Sequence, residues 1–326
     1  MASPTIAVLV PCYNEELTIG EVIDGFRANL PGARIYVYDN NSTDRTAEVA
    51  LAHGAALRRE RLQGKGNVVR RMFADVDADI YVLVDGDATY DAAAAPDLVR
   101  MLVDNQYDMV TAKREAMFKE AYRPGHRFGN GLLTWMVSAL FGTGVSDMLS
   151  GYRILSRRFV KTFPALSSGF EIETELTVHA LQMRMAMGEM PTPYLARPEG
   201  SASKLNTYRD GLRILATITQ LVRDERPLAF FSALASLTLT LAVVLAVPIF
   251  IEFGETGLVP RFPTAILCTG LSLVSVVLFS CGLMLDTVSR GRRETMRLHY
   301  LSYKAPAPAA APSDAVTVRR LEPVDA

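Results

Sequence analysis

Short polar and apolar blocks alternate along the first 200 residues of the chain. Three apolar runs have the length of β-strands and end in polar turns: 6–10, 34–38 and 80–84. Three segments with helical spacing lie between or beside them: 19–29, 43–53, with Ser42 or Thr43 as its candidate cap, and 68–77. Strand–helix–strand alternation predicts an α/β domain with a mostly parallel sheet and helices on both faces.

The pattern changes after residue 227. Two stretches, 228–251 and 262–285, each run for 24 residues without a charge. About 20 helical residues cross a hydrocarbon core, so each stretch is long enough to span a membrane. Two buried core helices are the alternative, but neither stretch has the polar stripe of a surface helix. With the short link 252–261, the two spans predict a transmembrane hairpin.

Basic residues predict the orientation of this hairpin. They cluster outside the two spans rather than in the link, as follows: Arg209, Arg213, Arg223 and Arg226 before the first span, and Arg290, Arg292, Arg293 and Arg297 after the second. Both termini are therefore expected on the cytoplasmic side, in the inner membrane of the cell. The run 5–11 resembles a first strand more than a signal peptide.

Composition changes this picture little. The 34 basic and 35 acidic residues nearly cancel, which argues against a protein that coats nucleic acid. Three cysteines exclude a disulfide scaffold and a cysteine-rich zinc module. The mean hydropathy of +0.16 is high for an enzyme with ordinary charge content, and the two apolar spans account for most of it.

The most informative polar cluster is Asp85-Gly86-Asp87, directly after the third apolar run. Two carboxylates at a strand end offer a compact site for Mg²⁺ or Mn²⁺, which take oxygen ligands and leave positions open to phosphate. A solvated turn is the alternative, because Asp and Gly favour turns. In a parallel sheet, however, ligands bind beyond the carboxyl ends of the strands, where this cluster lies.

Two further polar segments follow strands or precede helices. The segment 39–44 begins with Asp39, whose carboxylate can accept from a base or a ribose hydroxyl, and a helix cap alone would need fewer polar groups. The segment 63–67 places Lys65 between two glycines before a helix, but it lacks the spacing of a phosphate-binding loop of ATPases.

Charged residues downstream allow two interpretations. The basic stretch 113–127 includes Arg114 and Arg127, whose guanidinium groups are candidates to bind phosphate bidentately. The alternative is that this stretch forms a solvated face. Glutamates 171, 173 and 175 precede a helical pattern that runs to residue 187, so they are expected at a helix start. The four histidines show no metal-ligand spacing, and no nucleophilic triad is recognisable.

In order and spacing, several motifs together resemble family 2 glycosyltransferases, and more narrowly the polyprenyl-phosphate glycosyltransferases related to dolichol-phosphate mannose synthase. These motifs are the segments 10–16, 39–44, 64–66, 85–87, 150–153 and 200–205. The resemblance covers about residues 5–290, including a C-terminal membrane hairpin found in some members. It implies a GT-A (nucleotide-diphosphosugar transferase) fold, a divalent metal, and inverting transfer of one sugar to a lipid-linked monophosphate.

The resemblance also assigns roles to individual residues. Asp85 and Asp87 would bind the metal, with Gly86 between them, and Asp87, Arg127 and Arg153 would form the catalytic set, Arg153 by supporting the acceptor loop. The residues expected to contact the nucleotide sugar are Pro11, Tyr13, Glu15, Asp39, Lys65, Asp85, Gly86, Asp87, Arg114, Arg197, Ser203 and Lys204. Asn40-Asn41 and Thr89 depart from the family, which usually has Asp-Gly and often a metal-binding Gln there.

Four regions follow from these patterns. They are a cytoplasmic catalytic domain at 1–204, an amphipathic juxtamembrane segment at 205–227, the hairpin at 228–285, and a largely disordered tail at 286–326. The expected partners are a nucleotide-diphosphate sugar, a polyprenyl phosphate and the membrane, without nucleic acid, and a homo-oligomer is left open. Two other functions stay open: a transferase to a lipid or glycan hydroxyl, and a non-catalytic membrane adaptor.

Overall fold

The computed structural model describes residues 4–116, 146–195, 219–220, 223–224 and 226–305. The described residues fall into two units, one α/β and one helical. The α/β unit contains, in chain order, β1 (Ile6–Cys12), α1 (Ile19–Asn29), β2 (Arg34–Asp39), α2 (Thr46–Ala52), β3 (Ala56–Arg59), α3 (Lys65–Asp75), β4 (Ile80–Leu83), α4 (Ala95–Asp104), β5 (Met109–Ala116), β6 (Arg153–Ser156), α5 (Arg157–Thr162), α6 (Ile172–Met183) and β7 (Met187–Tyr194).

The strands form one mixed sheet in the order β3-β2-β1-β4-β6-β5-β7. Strand β6 runs antiparallel to both of its neighbours, while the other described pairings are parallel. The sheet is therefore mostly parallel, as the sequence predicts. Strand β1 has β2 on one side and β4 on the other, so the strand order of the sheet reverses at β1. Sheets of this kind bind ligands at such a reversal, beyond the carboxyl ends of the strands, which here are those of β1 and β4.

Apolar side chains of β1 and β4 form the centre of the core. Val8, Val10 and Val82 are fully buried, and α1 covers one face of the sheet with Ile23 and Phe26. Strand β1 is buried on both faces, which explains its nearly continuous apolar sequence. The rigid centre of the sheet thus lies directly below the polar turns that follow β1 and β4.

Some helix boundaries differ from the sequence prediction. Helix α1 matches it at both ends, but α2 begins only at Thr46 because Ser42 and Thr43 bond to Asn14 in the neighbouring loop. Helix α3 begins three residues before the predicted start at residue 68. Helix α6 ends at Met183, where Arg184 adopts a left-handed conformation (φ 54°), and the predicted helical residue Met187 instead begins β7.

The helical unit contains two long helices, α7 (Pro227–Thr256) and α8 (Phe262–Leu301), that pack against each other. Both are long and apolar enough to cross a membrane. Each buries residues at intervals of seven: Ala235, Ala242 and Ile249 in α7, and Cys268, Ser275 and Gly282 in α8. Most of their other apolar side chains are exposed, which suits contact with lipid rather than a protein core.

Small residues allow close contact between the two helices. Ser275 donates a hydrogen bond to the carbonyl of Ala235 at 2.8 Å, from one helix to the other. A Cβ placed on Gly282 would lie 3.0 Å from the Cβ of Phe231. Small residues and interhelical hydrogen bonds are the means by which membrane helices associate, because apolar contact alone gives little preference over lipid.

Helices α7 and α8 extend beyond the predicted spans. Helix α7 contains Pro248 and continues to Thr256, so the link is shorter than predicted. Helix α8 has 40 residues and, at 1.5 Å per residue, a length of about 60 Å. Residues 286–301, assigned to the tail by the sequence, thus belong to a helix, while residues 306–326 and most of the juxtamembrane segment 205–227 lie outside the described residues.

Candidate active site

The carboxyl edge of the sheet gathers the polar turns that follow β1, β2, β3 and β4. Because β6 runs in the opposite direction, the segment before it, 150–152, reaches the same edge. The turn after β1 bonds to the turn after β2: Asn14 donates its backbone N–H to Ser42 Oγ at 3.0 Å and accepts from the Thr43 N–H at 2.8 Å. These contacts fix the loop that contains Tyr13 and Glu15, directly after Pro11 near the end of β1.

Asp39 ends β2 on the inner side of this loop. It is only 4 % exposed, and its carboxylate accepts from the Ser42 N–H at 3.1 Å. Arg59, on the neighbouring strand, lies 3.9 Å from the other carboxylate oxygen. Asp39 thus lies next to Cys12, where the loop that contains Tyr13 begins, and a shared contact with one nucleoside stays a prediction.

The Asn40-Asn41 pair holds the segment 60–64, which leads into α3. The Asn40 side chain donates to the carbonyls of Glu60 and Leu62 at 2.9 and 2.8 Å, and its oxygen accepts from the Gly64 N–H at 2.7 Å. Asn41 has a left-handed φ of 65° and donates to the Arg61 carbonyl at 2.9 Å. Asparagine is enriched in that conformation, where glycine is also common. Asn40 and Asn41, which depart from the family pattern, therefore fit the hydrogen bonds and the backbone conformation of this loop.

Lys65, at the first position of α3, lies between two carboxylates. Its ammonium donates to Asp85 Oδ1 and, at 2.6 Å, to Glu173 Oε1. Burial would lower the pKa of Lys65, but the two carboxylates outweigh burial and raise it above its ordinary value. Burial raises the pKa of Glu173, and Lys65 offsets this only partly. Lys65 therefore stays charged, between two acidic side chains.

Three glycines permit this cluster to form. A Cβ on Gly64 or Gly66 would overlap the backbone of Ser167 and Ser168, which packs against the start of α3. Gly64 also has a φ of 128°, which side-chain-bearing residues rarely adopt. A Cβ on Gly151 would overlap Asp85 Oδ2 and lie 3.1 Å from Lys65 Nζ. The glycines of two separate motifs thus serve the same ion cluster.

Asp87 follows Asp85 by two residues and is 4 % exposed. It accepts from the Thr89 hydroxyl at 2.6 Å, so Thr89 orients the carboxylate. Gly86 lies against Cys12, and its carbonyl accepts from the Thr18 hydroxyl at 2.7 Å, which ties this turn to the start of α1. Asp85 is 29 % exposed in its side chain. The carboxylate oxygens of Asp85 and Asp87 are hard ligands, and Asp85 reaches the surface. The pair therefore fits a divalent cation such as Mg²⁺ or Mn²⁺.

No group of three or more His, Cys, Asp or Glu side chains suited to a metal ion occurs among the residues that the structure describes. Asp85 and Asp87 are the pair that the sequence proposes as ligands. Their fit rests on the chemistry of these two carboxylates and on their place at the carboxyl edge.

Arg114 lies on β5 and forms a bidentate pair with Asp147. The distances are 2.8 Å from Nε to Oδ2 and 2.7 Å from the terminal nitrogen to Oδ1. The guanidinium also lies 5.5 Å from the ring centre of Tyr194. Burial would raise the pKa of Asp147, but Arg114 outweighs it and lowers the pKa below the ordinary value. A phosphate contact by Arg114, expected from the sequence, stays a prediction.

Arg153 is fully buried, at 0 % exposure. Its guanidinium donates to the carbonyls of Met148 and Ser150, at 2.7 and 3.0 Å, and to the Thr177 hydroxyl at 2.8 Å. These bonds hold the segment that ends in Gly151. Arg153 is therefore placed as a positioning residue that supports a loop from inside, and its expected place in the catalytic set is limited to that support.

Four expected site residues lie outside the described residues: Arg127, Arg197, Ser203 and Lys204. Two residues for which the sequence predicts no site role lie beside expected site residues: Glu173, expected only at a helix start, beside Lys65, and Asp147 beside Arg114. Glu173 and Glu175 both lie in the first turn of α6, and the sequence pattern does not distinguish the buried Glu173 from the partly exposed Glu175.

A carboxylate pair after a central strand, at the carboxyl edge of a mostly parallel sheet, is the arrangement expected of a GT-A-type fold. The model for glycosyl transferase family 2 matches residues 7–163. The chain is 30 % identical over 298 residues to glycosyltransferase AglJ of Haloferax volcanii, which covers 90 % of this chain and 96 % of that protein. The chain belongs to glycosyl transferase family 2 and is a glycosyltransferase.

Two further proteins resemble it over about two thirds of its length. A dolichyl-phosphate hexose transferase of Haloferax volcanii is 28 % identical over 221 residues, which are 68 % of this chain and 95 % of that protein. The crystal structure of glucosyl-3-phosphoglycerate synthase from Mycobacterium tuberculosis, in complex with Mn²⁺, UDP and glucosyl-3-phosphoglycerate, matches with a TM-score of 0.56 and 25 % identity, over 68 % of this chain and 79 % of that one.

Proposed function

We propose that the chain transfers one sugar, with inversion, from a UDP- or GDP-linked donor to a polyprenyl monophosphate at the cytoplasmic face of the inner membrane. The observation that carries the proposal is the carboxyl edge, where Asp39, Lys65 and the Asp85–Asp87 pair converge in a chain that also has two membrane-length helices. The similarity to a dolichyl-phosphate hexose transferase supports a lipid-phosphate acceptor.

The donor would lie beyond the carboxyl ends of β1 and β4. Asp39 and the Tyr13 loop would contact the nucleoside, because they lie together at the ends of β1 and β2. Asp85 and Asp87 would hold Mg²⁺ or Mn²⁺, and that ion would supply positive charge to the departing diphosphate. The structural neighbour in complex with Mn²⁺ and UDP supports this use of the fold.

The acceptor needs little help from a base. A phosphate monoester has a second pKa of about 6, so its oxygen is already largely ionised at neutral pH. Catalysis would then rest on positioning and on electrostatic stabilisation. Arg127, Arg197, Ser203 and Lys204 are proposed to contact the phosphates of donor and acceptor, and Arg114 is proposed to contribute from its pair with Asp147.

The proposed orientation follows from charge. Arg290, Arg292, Arg293 and Arg297 lie in the part of α8 beyond its apolar span, and Arg226 directly precedes α7. Basic residues flanking a span favour the cytoplasmic side. Both ends of the hairpin, and the catalytic unit, would therefore face the cytoplasm, where nucleotide sugars are available.

The test is the mass of the product. Full-length protein in nanodiscs is incubated with a polyprenyl monophosphate, Mn²⁺ and a panel of UDP- and GDP-sugars. The proposal predicts a lipid heavier by one sugar residue with at least one donor, and none with chelator. Transfer that requires a hydroxyl-bearing lipid or glycan and ignores the phosphate would contradict it. If neither sugar transfer nor donor hydrolysis occurs with any donor, the result favours a non-catalytic membrane adaptor.

A further inference from the structure

Glu173 is the one member of the Lys65 cluster that no motif contains. It comes from α6, whereas Lys65 begins α3 and Asp85 follows β4. The side chains of Glu173 and Lys65 are each 8 % exposed, while Asp85 is 29 % exposed. One carboxylate of the cluster is therefore enclosed, and the other reaches the surface.

A metal ion at Asp85 would share with Lys65 the single negative charge of that carboxylate. Asp85 Oδ1 accepts from the Lys65 ammonium in the structure, and a metal ion bound to the same carboxylate would compete with that ammonium. An enclosed ammonium that loses its counterion is strongly destabilised. Glu173 Oε1, at 2.6 Å from Lys65 Nζ, is already in place as a second counterion.

Neither partner can readily move away. The backbone of Gly66, next to Lys65, donates to the Ser168 carbonyl at 3.1 Å, and the close packing there leaves no room for a Cβ. On the other side, Thr177 donates to the Glu173 carbonyl at 3.2 Å and accepts from the buried Arg153 at 2.8 Å. The backbone beside Lys65 and that of Glu173 are thus fixed, and both side chains are only 8 % exposed.

We propose that Glu173 is a positioning residue of the donor site, which holds the Lys65 ammonium in place when Asp85 turns from it to the metal-bound nucleotide. The inference rests on the proposed function, since it requires a nucleotide–metal complex at Asp85. Glu173 acts through Lys65 and touches neither donor nor acceptor.

The test measures Mn²⁺ affinity in the presence of UDP or GDP, by electron paramagnetic resonance of free Mn²⁺, with the full chain in detergent. Glu173→Gln keeps the shape of the side chain and removes its charge, so Lys65 must rely on Asp85 alone. The expected result is at least about a tenfold loss of affinity, the size typical of groups behind metal ligands. Asp108→Asn, which removes a buried carboxylate paired with Arg158, is the matched control and should leave affinity unchanged.

The decisive comparison uses Lys65→Met. If Glu173 acts through Lys65, then adding Glu173→Gln to Lys65→Met changes the affinity no further. An equal loss in both backgrounds, or no loss in either, overturns the inference. If Glu173→Gln melts too low to assay, Glu173→Asp, whose carboxylate is one methylene shorter, is compared in the same two backgrounds with the same two outcomes. A native protein that binds no Mn²⁺–nucleotide overturns the proposed function, and this inference with it.

Discussion

Two buried ion clusters lie at opposite edges of the sheet, and they differ in their balance of charge. At the carboxyl edge, one ammonium, Lys65, faces the two carboxylates of Asp85 and Glu173. At the amino edge, the guanidinium of Arg158 meets the single carboxylate of Asp108, which also accepts from Ser156 at 2.8 Å. The second cluster pairs one acidic with one basic side chain and is largely enclosed, whereas the first has two acidic side chains for one basic and one partly exposed member.

The difference separates a structural ion pair from a binding site. The Arg158–Asp108 pair joins β5, β6 and α5 at their ends. A second acidic side chain beside Lys65 gives the carboxyl edge the means to accept a further cation, and this edge is where such sheets bind ligands.

The largest effect is expected from Asp87→Asn at the carboxyl edge. The amide keeps the oxygen that accepts from Thr89, so the turn stays folded, but the charge that would hold the metal is lost. Transfer to polyprenyl phosphate should fall by about 10³-fold, the upper range for loss of one electrostatic contact. Initial rates of glycolipid formation measure the effect, with thermal melting as the control for folding. Turnover at the native rate would remove Asp87 from the site.

At the amino edge, Asp108→Ala should lower the stability of the protein and leave nucleotide binding unchanged. It leaves the Arg158 guanidinium without its carboxylate in a position where Asp108 is 0 % exposed, and such losses cost about 3 kcal/mol. The melting temperature of the full chain should therefore fall by several degrees. Nucleotide affinity, measured below the melting transition, should not change. A weakened nucleotide affinity with normal melting would show that the two edges are not independent.

Gly151→Ala should disturb the carboxyl edge without removing any charge. The added methyl overlaps Asp85 and crowds Lys65, so both side chains must move. We expect about a tenfold loss in nucleotide affinity, which corresponds to about 1.4 kcal/mol. Gly32→Ala is the matched control, because nothing lies within 4 Å of a Cβ at that position. Equal behaviour of the two variants would argue against the close packing of Gly151 on the ion cluster.

A smaller effect is expected from Asn40→Asp, which restores the residue usual in the family. The carboxylate would lose the N–H groups that Asn40 donates to Glu60 and Leu62 and would face their carbonyls instead. The expected cost is about 1 kcal/mol of stability, read from chemical denaturation. Asn41→Gly, the other restored family residue, keeps the left-handed backbone at φ 65° and should be much closer to neutral. Comparable losses in the two variants would contradict this account of the loop.

The sequence predicts the parts of the fold that depend on local pattern. Helix α1 and the starts of β1, β2 and β4 lie where apolar periodicity places them. Strand β3 has two exposed residues out of four at the end of the sheet, and so it lacks the apolar run that marks an interior strand. Strand β7 contains Pro191 and Pro193, which edge strands tolerate but which obscure a strand in the sequence.

The site is predictable to a similar extent. Asp39 ends β2, and Asp85 and Asp87 follow β4. In a parallel sheet these strand ends lie at the same edge, so the sequence pattern alone brings the three carboxylates to one side. The pairing of Lys65 with Glu173 joins residues 108 positions apart, and no local signal specifies which cation a buried glutamate meets. The reversed direction of β6, which brings Gly151 to the carboxyl edge, is likewise a property of the whole sheet.

The central claim is that the acceptor is a phosphate oxygen, and ³¹P nuclear magnetic resonance of the lipid tests it most directly. Polyprenyl monophosphate is followed during turnover with the donor that gives a product in the mass assay. If the phosphate is the acceptor, the monoester signal is replaced by that of a phosphodiester coupled to the anomeric proton of the sugar. A heavier lipid whose phosphate remains a monoester would contradict it, because the sugar would then be attached elsewhere.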